Sequence, residues 1–589
     1  MKQLHPLEGR VQVPLAWEVL QGQEVSEPDF IQAICQLPVR QLLPGLITLL
    51  QYGDSSEPAA YETLDRQICD LFPIGAARRI ERKLSLESHW KFFSKWQLLF
   101  AIKLLCTFGS TSEDKAQVKD GRFLDFLLMT NGFYPSGEFD LSTDEGVKAT
   151  VQRAALQGYS LIQHERPINL IGRYSELFVR LAAPSTKSEF NSWVDIQEVV
   201  KTKLGVQLDD FKAVLFALYC NSITGSPWSD DGEVRPRLGY LIPERYFADM
   251  KVPKEELNRI LRLVATSPEQ IRREHQATNG DEIGNPFDLG ILLRKPAIAL
   301  PDGRLAGMSG QLLIQRYTCG LYWDIHDALP DGGSAKPNRQ SFQNFFGELH
   351  ERYGRDILGR IRAEQLGAGR KVRLLSEDDY PPGSGSIPDN LVIETIGSRN
   401  TRCTMFEFKV GRPRYGKSIV KGDVQAFLED LRLKIEKGLD QEIDFCQQVQ
   451  TGQRNIPGLL TRNIARWFFV IVVSDPFPAM GVLLEPLRKK LASSAALGNT
   501  RRYGPFVLSL AELEQLETHS KSRISQLLID WDSGPDRLWP FNTFYANRTK
   551  GQPIGNNHVE KLAEDDMARV TNTLFGHSIQ PRQPTMGAG

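Results

Sequence analysis

The chain has 589 residues, too many for a single hydrophobic core, so its size implies about three or four domains. Its 41% apolar and 24% charged residues are ordinary for a soluble globular protein. A formal net charge of −1 excludes any global electrostatic drive toward nucleic acid, so a polyanion would have to be met by a local basic patch.

From about residue 12 to 220 the pattern is helical. FIQAICQLPVRQLLPGLITLL and HWKFFSKWQLLFAIKLLCTF carry apolar residues at three- and four-residue spacing, interrupted by Pro and Gly. Residues 1–220 read as a helical scaffold that also offers surface for other protein subunits or for self-association. Residues 221–335 read as a mixed α/β connecting region. Within it KPAIALPDGRLAGMS predicts two short strands around an Asp302-Gly303 turn, and GQLLIQRYTCGLYWDI predicts a helix. The polar linker DGGSAKPNRQ, residues 331–340, marks a boundary.

After the linker the character changes. Ser341 can cap a helix that aligns Phe342, Phe345, Phe346, Leu349, Tyr353 and Ile357 on one face. The loop EDDYPPGSGS comes next, then the strands DNLVIET and RCTMFEFKV with a turn around 397–401 between them. Asp423 can cap a helix through Val424, Phe427, Leu428, Leu431 and Ile435 that Gly438 ends. WFFVIVVSD reads as a buried strand and 486–494 as a helix. Ser509 and Glu512 form a capping box that opens the next helix. The order is that of an α/β domain over 336–520, and a mostly helical C-terminal extension occupies 521–589.

The seven cysteines, Cys35, Cys69, Cys106, Cys220, Cys319, Cys403 and Cys446, form no C-x-x-C pair and read as reduced thiols. The first 25 residues lack the blocks of a signal peptide. The longest apolar run, residues 467–473, is too short to cross a bilayer. A cytoplasmic protein without a membrane partner is the expectation.

The stretch TMFEFKVGRPRYGKS, residues 404–418, holds two competing signatures. One is Glu407-Phe-Lys409, the E-x-K of a metal-dependent nuclease. The other is G-x-x-x-x-G-K-S over 411–418, a phosphate-binding loop with Lys417 and Ser418, for which Asp475 after FFVIVVS would assist Mg²⁺ binding. By composition the second pattern is the rarer. Its context is poor, however. Glu407 and Lys409 point to one face of their strand, where burying a charged pair in a core is costly. A phosphate loop also needs its helix to begin at Lys417-Ser418, whereas Asp423 is the natural cap.

The nuclease reading uses the same charges. Asp389 begins one strand and Glu407 and Lys409 lie on the next, so antiparallel pairing would bring the three together. Two carboxylates can hold Mg²⁺ or Mn²⁺ through oxygen ligands, and Lys409 can orient water and stabilise developing charge. On Pro388-Asp389, Glu407-x-Lys409 and the α-β-β-α-β order, residues 341–480 resemble the PD-(D/E)xK nuclease superfamily.

The resemblance implies a restriction-endonuclease-like core, a central mixed sheet flanked by helices, in a multidomain α + α/β chain. It adds Glu351 from the preceding helix as a further catalytic and metal-binding carboxylate, with Gly347, Gly354 and Leu358 on its stripe, and Glu348 as second choice. Gln425 stands where some relatives place a glutamine, without the tyrosine that often comes one turn later. The implied activity is Mg²⁺-dependent hydrolysis of phosphodiesters, endonucleolytic rather than exonucleolytic, with DNA as partner and RNA as the alternative. The implied setting is prokaryotic defence against foreign DNA.

Between Lys409 and Lys421 there are five basic residues and no acidic one, with Arg412, Arg414 and Lys417 between those two. Together with Gln425, the residues after Lys409 form the expected nucleic-acid contact, meeting backbone phosphates beside the cut. His350 reads as a surface helix residue. Two rivals stay open: a nucleotide hydrolase using the 411–418 loop, and an inactive adaptor that retains the nuclease fold.

Overall fold

The computed structural model describes residues 25–55, 94–111, 121–133, 165–224, 240–300, 302–332, 337–380, 387–397, 400–410, 423–474, 481–494, 500–550 and 555–576, with a few isolated positions besides. The chain is mostly helical and carries two mixed sheets, of four and five strands.

The N-terminal apolar stretches form helices Glu27–Cys35, Val39–Ser55, Lys95–Phe108 and Gly121–Asn131. Lys95–Phe108 is buried on almost every side, as its near-continuous apolar sequence requires. These helices share a core with Ile271, Ile298 and Met308 of the connecting region. There the four-stranded sheet runs Tyr240–Leu241, Leu305–Gly307, Ala297–Ala299, Ala265–Thr266. Its central hairpin turns at Asp302-Gly303, with Gly303 at φ 83°, as the Asp-Gly pair predicts. The helix expected from GQLLIQRYTCGLYWDI is broken at Thr318 into Gly310–Tyr317 and Cys319–Ala328.

Helices α1 (Pro167–Ser175) and α2 (Leu208–Thr224) precede the long α3 (Arg339–Gly367). Asn338, three residues before the expected cap, begins α3, and Ser341 at its third position completes a reciprocal capping box with both bonds at 2.9 Å. The predicted stripe of α3 is buried from Phe342 to Ile357.

Strands β1 (Lys371–Ser376), β2 (Asn390–Gly397), β3 (Asn400–Lys409), β4 (Ile464–Val473) and β5 (Arg501–Ser509) lie in the order 5-4-3-2-1. β1, β2 and β3 are antiparallel neighbours, while β3, β4 and β5 run parallel. Both edge strands escape the sequence reading. β1 is short, and β5 contains Gly504-Pro505, a pair that reads as a breaker but fits at an irregularity on a sheet edge.

From β3 the chain continues through α4 (Val424–Leu431), a π-turn over Arg432–Glu436 and α5 (Lys437–Gln450). Gly438 therefore does not end a helix. It lies inside a continuous one, buried against the sheet. α6 (Gly481–Ser493) links β4 to β5, and α7 (Leu510–Thr518) opens with the capping box of Ser509 and Glu512. α8 (Ile524–Ser533) and α9 (Asn557–Phe575) come after it, in line with the helical extension.

The sheet is covered on both faces. Phe406, Phe408, Phe468 and Val470 pack with α3 in an apolar cluster that reaches from Leu170 to Leu574. Cys403, Met405, Phe469 and Ile471 pack with α5 and α6. α9 returns to α1 and α2, where Lys212 and Asp566 form a fully buried ion pair at 3.1 Å. Arg173 of α1 and Tyr353 of α3 both donate to Glu514 of α7, at 2.7 and 2.6 Å. Among the described residues no helix is long and apolar enough to cross a membrane.

Candidate functional site

β2 and β3 pair with Asn390 opposite Phe406. One residue further along, the same register sets Asp389 beside Glu407. Both side chains face α5, because Leu391 and Met405, two residues away on their strands, lie in the α5-side core. Asp389 Oδ2 accepts the Phe408 N–H at 2.6 Å, and Lys409 Nζ donates to Glu407 Oε1 at 2.5 Å. Glu407 is 2% exposed, and its Oε2 is buried without a hydrogen-bond partner. Lys409 reaches solvent at the strand end. The sequence-predicted trio is thus assembled on one hairpin.

Glycines let helices approach this strand from both sides. On α5, a Cβ at Gly438 would stand 3.0 Å from Ile471 Cδ1, 3.4 Å from Glu407 Cγ and 3.5 Å from Lys409 Cε. On α3, a Cβ at Gly354 would fall inside the Phe408 ring, while Gly347 faces Val410 at 3.7 Å. The stripe expected to bring α3 onto the sheet does so.

α3 thereby delivers Glu351 to the same end of the sheet. Burial first, then the negative charges of Asp389 and Glu407, push the Glu351 carboxyl up to about 8. Burial and Asp389 push Glu407 up to about 7 against the opposing pull of Lys409. Burial also raises Asp389, opposed by the Phe408 N–H and Lys409. Three carboxylates and one ammonium therefore share a field that favours added positive charge. As oriented, no three His, Cys, Asp or Glu side chains among the described residues stand close enough to hold a metal ion. The donor set nevertheless fits a hard cation, being all oxygen with one buried oxygen unsatisfied at its centre. Glu348 turns away, accepting the backbone N–H groups of Asn191 and Ser192 at 2.8 and 3.3 Å.

Two neighbours were not legible in sequence. Glu442, one turn beyond Gly438 on α5, is fully buried. Its Oε1 accepts the Val470 N–H at 3.4 Å and its Oε2 has no partner. Burial and the charge of Glu407 hold its carboxyl well above the usual range. Lys434, in the π-turn, places Nζ 3.4 Å from the Val410 carbonyl; burial lowers its pKa, opposed by Asp430 and reinforced by Lys409. The i, i+4 spacing of Gly438 and Glu442 was the available signal, and it is masked by taking Gly438 as a helix end.

The basic segment after Lys409 differs from expectation. Arg414 is taken up by acids of α4, with ion pairs to Glu429 at 2.7 Å and to Asp430 at 2.9 Å, so it is not a free phosphate ligand. Ser418 is buried and donates to Asp430 Oδ2 at 2.5 Å. The Asp423 N–H donates to the Lys417 carbonyl at 3.0 Å, and α4 starts only at Val424. Those contacts hold Arg414 and Ser418 against α4, and Lys417 and Ser418 themselves lie in a helical turn ahead of it, where the Ser418 N–H donates to the Arg414 carbonyl at 2.7 Å. Lys417 and Lys421 are exposed, and Arg412 and Asp475 lie outside the described residues.

Gln425 is exposed at the start of α4, because it is α5 and not α4 that crosses the Glu407 face. His350 is buried, contrary to its reading as a surface residue. Its Nδ1 lies 2.7 Å from the Phe346 carbonyl and its ring packs edge-on against Phe346. No family model, curated protein or solved structure matches the chain.

Proposed function

We propose that this protein is a metal-dependent nuclease of the PD-(D/E)xK type that hydrolyses phosphodiester bonds, with DNA as its substrate. The observation that carries the reading is the meeting of Asp389, Glu407 and Lys409 on one hairpin with Glu351 arriving from α3. The mixed sheet, with α3 on one face and α5 on the other, supports it further.

Asp389, Glu407 and Glu351 would hold Mg²⁺ or Mn²⁺, and the bound cation supplies Lewis-acid polarisation of the phosphate and a more acidic water. Lys409 keeps its ammonium beside Glu407 and presents it at the open end of the strand, where it can donate to a phosphate oxygen. The Phe408 N–H holds one Asp389 oxygen and leaves the other to a ligand. Lys417 and Lys421 offer point charges to flanking phosphates. Defence against foreign DNA is the proposed setting, and the long helical region the proposed site of partner contact or self-association.

Full-length protein incubated with plasmid and single-stranded DNA, with Mg²⁺ or Mn²⁺, tests the reading. Cleavage that disappears in Lys409→Ala and Asp389→Ala upholds it. Cleavage unchanged in both overturns it, and no cleavage by the wild type under any of these conditions favours the inactive adaptor.

A further inference from the structure

The opposite end of the same sheet gathers arginines that the carboxylate site does not use. Arg402 of β3 pairs in register with Arg466 of β4, and Arg466 pairs with Arg501 of β5. Register partners in a sheet share a face, so three arginine side chains stand in one row. The row lies on the α3 and α8 side, since Phe406 and Phe468, at even spacing from Arg402 and Arg466, belong to that core. Like charges directly opposite one another are destabilising. One acid of the sheet answers them: Glu394 of β2, the register partner of Arg402.

The start of α8 adds to the positive side. Its cap is Arg523, and the Ser525 N–H donates to Glu394 Oε2 at 3.0 Å. Arg402 Nη1 donates to Ser525 Oγ at 3.2 Å and to Gln526 Oε1 at 3.1 Å. Neither partner carries charge. Arg402 is only 9% exposed, and its Nε has no partner. Arg523 Nε, Glu394 Oε1 and Thr404 Oγ1 are buried without partners as well. Thr404 lies two residues along β3 from Arg402, on the same face. Buried orphan polar atoms are rare in folded proteins, and of these four the two guanidinium Nε donors call for an acceptor.

Exposure rises along the row. Arg402 is buried, Arg466 is half-buried and Arg501 is exposed. Tyr503 stacks on Phe468 at 4.9 Å, and Arg466 sits 5.9 Å from the Tyr503 ring. Burial first, then Arg466, lower the pKa of Arg402, so its charge is held against its neighbours.

We propose that Arg402, Arg466, Arg501 and Arg523 form a binding site for a phosphate-bearing anion, distinct from the carboxylate cluster at the other end of β3. Guanidinium forks bind phosphate oxygens in pairs, and an anion among them would satisfy the open Nε groups and cancel the repulsion along the row. Glu394 binds the α8 N–H and is the acceptor that keeps the unliganded row folded. The ligand is either a free phosphate compound or the phosphate backbone of a nucleic acid, whose chemistry the row meets equally.

The test uses the full chain in EDTA, so that no divalent cation bridges phosphate to the carboxylates. Inorganic pyrophosphate is titrated while thermal melting is followed, and a fluorescein-labelled single-stranded oligonucleotide is titrated by anisotropy. Wild type is compared with Arg466→Gln and, at the exposed end of the row, Arg501→Gln. Pyrophosphate is expected to raise the melting temperature of the wild type, and Arg466→Gln to weaken that binding about tenfold. Unliganded Arg466→Gln is expected to melt no lower than wild type, because a repelling charge has gone. A parallel loss of oligonucleotide affinity identifies the backbone as source, and loss with pyrophosphate alone identifies a free phosphate compound. Binding of neither probe by the wild type, or undiminished binding by both variants, overturns the proposal. An Arg466→Gln protein that melts lower and binds normally also overturns it, since the arginine would then be structural.

Discussion

The two ends of β3 are charged in opposite senses by the same device. At one end the register sets Asp389 beside Glu407, with Glu351 and Glu442 closing in from α3 and α5 and Lys409 as the counter-charge. At the other it sets Arg402 beside Arg466 and Arg501, with Glu394 as the counter-charge. Between them the strand is buried on both faces and, apart from Thr404, apolar. Both ends hold unsatisfied buried polar atoms, Glu407 Oε2 at one and Arg402 Nε at the other. Crowded like charges cost stability in the unliganded protein, and each end therefore favours a ligand of the opposite sign.

The contrast between the two ends breaks most readily at Lys409. Lys409→Ala is expected to lower cleavage on the order of a hundredfold or more, as loss of a group stabilising developing charge does, and to lower the melting temperature in EDTA, because buried Glu407 loses its counter-charge. A variant that cleaves at the wild-type rate would leave the acidic end as a structural cluster only. Next in size is Gly354→Val, which drives a side chain into the Phe408 ring and is expected to destabilise by about 1–3 kcal/mol in denaturant titration. If it melted like wild type, α3 would not press on β3 and Glu351 would lose its place.

Glu442→Gln gives a smaller effect of opposite sign. Removing a buried acid that lacks one partner should stabilise the metal-free protein by about 1 kcal/mol at neutral pH. A fall in stability would mean that Glu442 is not part of the crowded field, since Gln keeps an oxygen to accept the Val470 N–H.

The pH dependence is the finest test. Glu351 and Glu407 have folded values of about 8 and about 7, raised from 4.5. Between 4.5 and those values the folded protein keeps protons that the unfolded chain has lost. Stability in EDTA should therefore fall as pH rises from about 4.5 through 8, and divalent cation should flatten the decline. Melting temperatures across that range, with and without Mg²⁺, check the sign. Stability that rises with pH across the window would show that the carboxylates are not crowded.

Much of the carboxylate site was legible because its signals are local. Asp389, Glu407 and Lys409 follow from two strands, a turn and the two-residue alternation of a sheet, and Gly347 and Gly354 mark the helix face that must come close. The arginine row was not legible. Arg402, Arg466 and Arg501 are separated by a helix-containing crossover on each side, and only parallel pairing puts them abreast. Glu442 was lost for another reason: a glycine inside a helix resembles a glycine ending one until the sheet beneath it is known. Arg414 was misjudged because α4 supplies, at Glu429 and Asp430, the acids that local composition lacked.

Periodicity, turn chemistry and capping residues by themselves determined the helical first part, the strand–turn–strand unit carrying the E-x-K and the capping box at Ser509. Tertiary structure decided which strands lie side by side, which glycines serve contact, and which charges meet without a partner. The reason is the range of the forces. Backbone preference and side-chain alternation act over a few residues, whereas burial and charge act between any groups that folding brings within a few ångströms of each other.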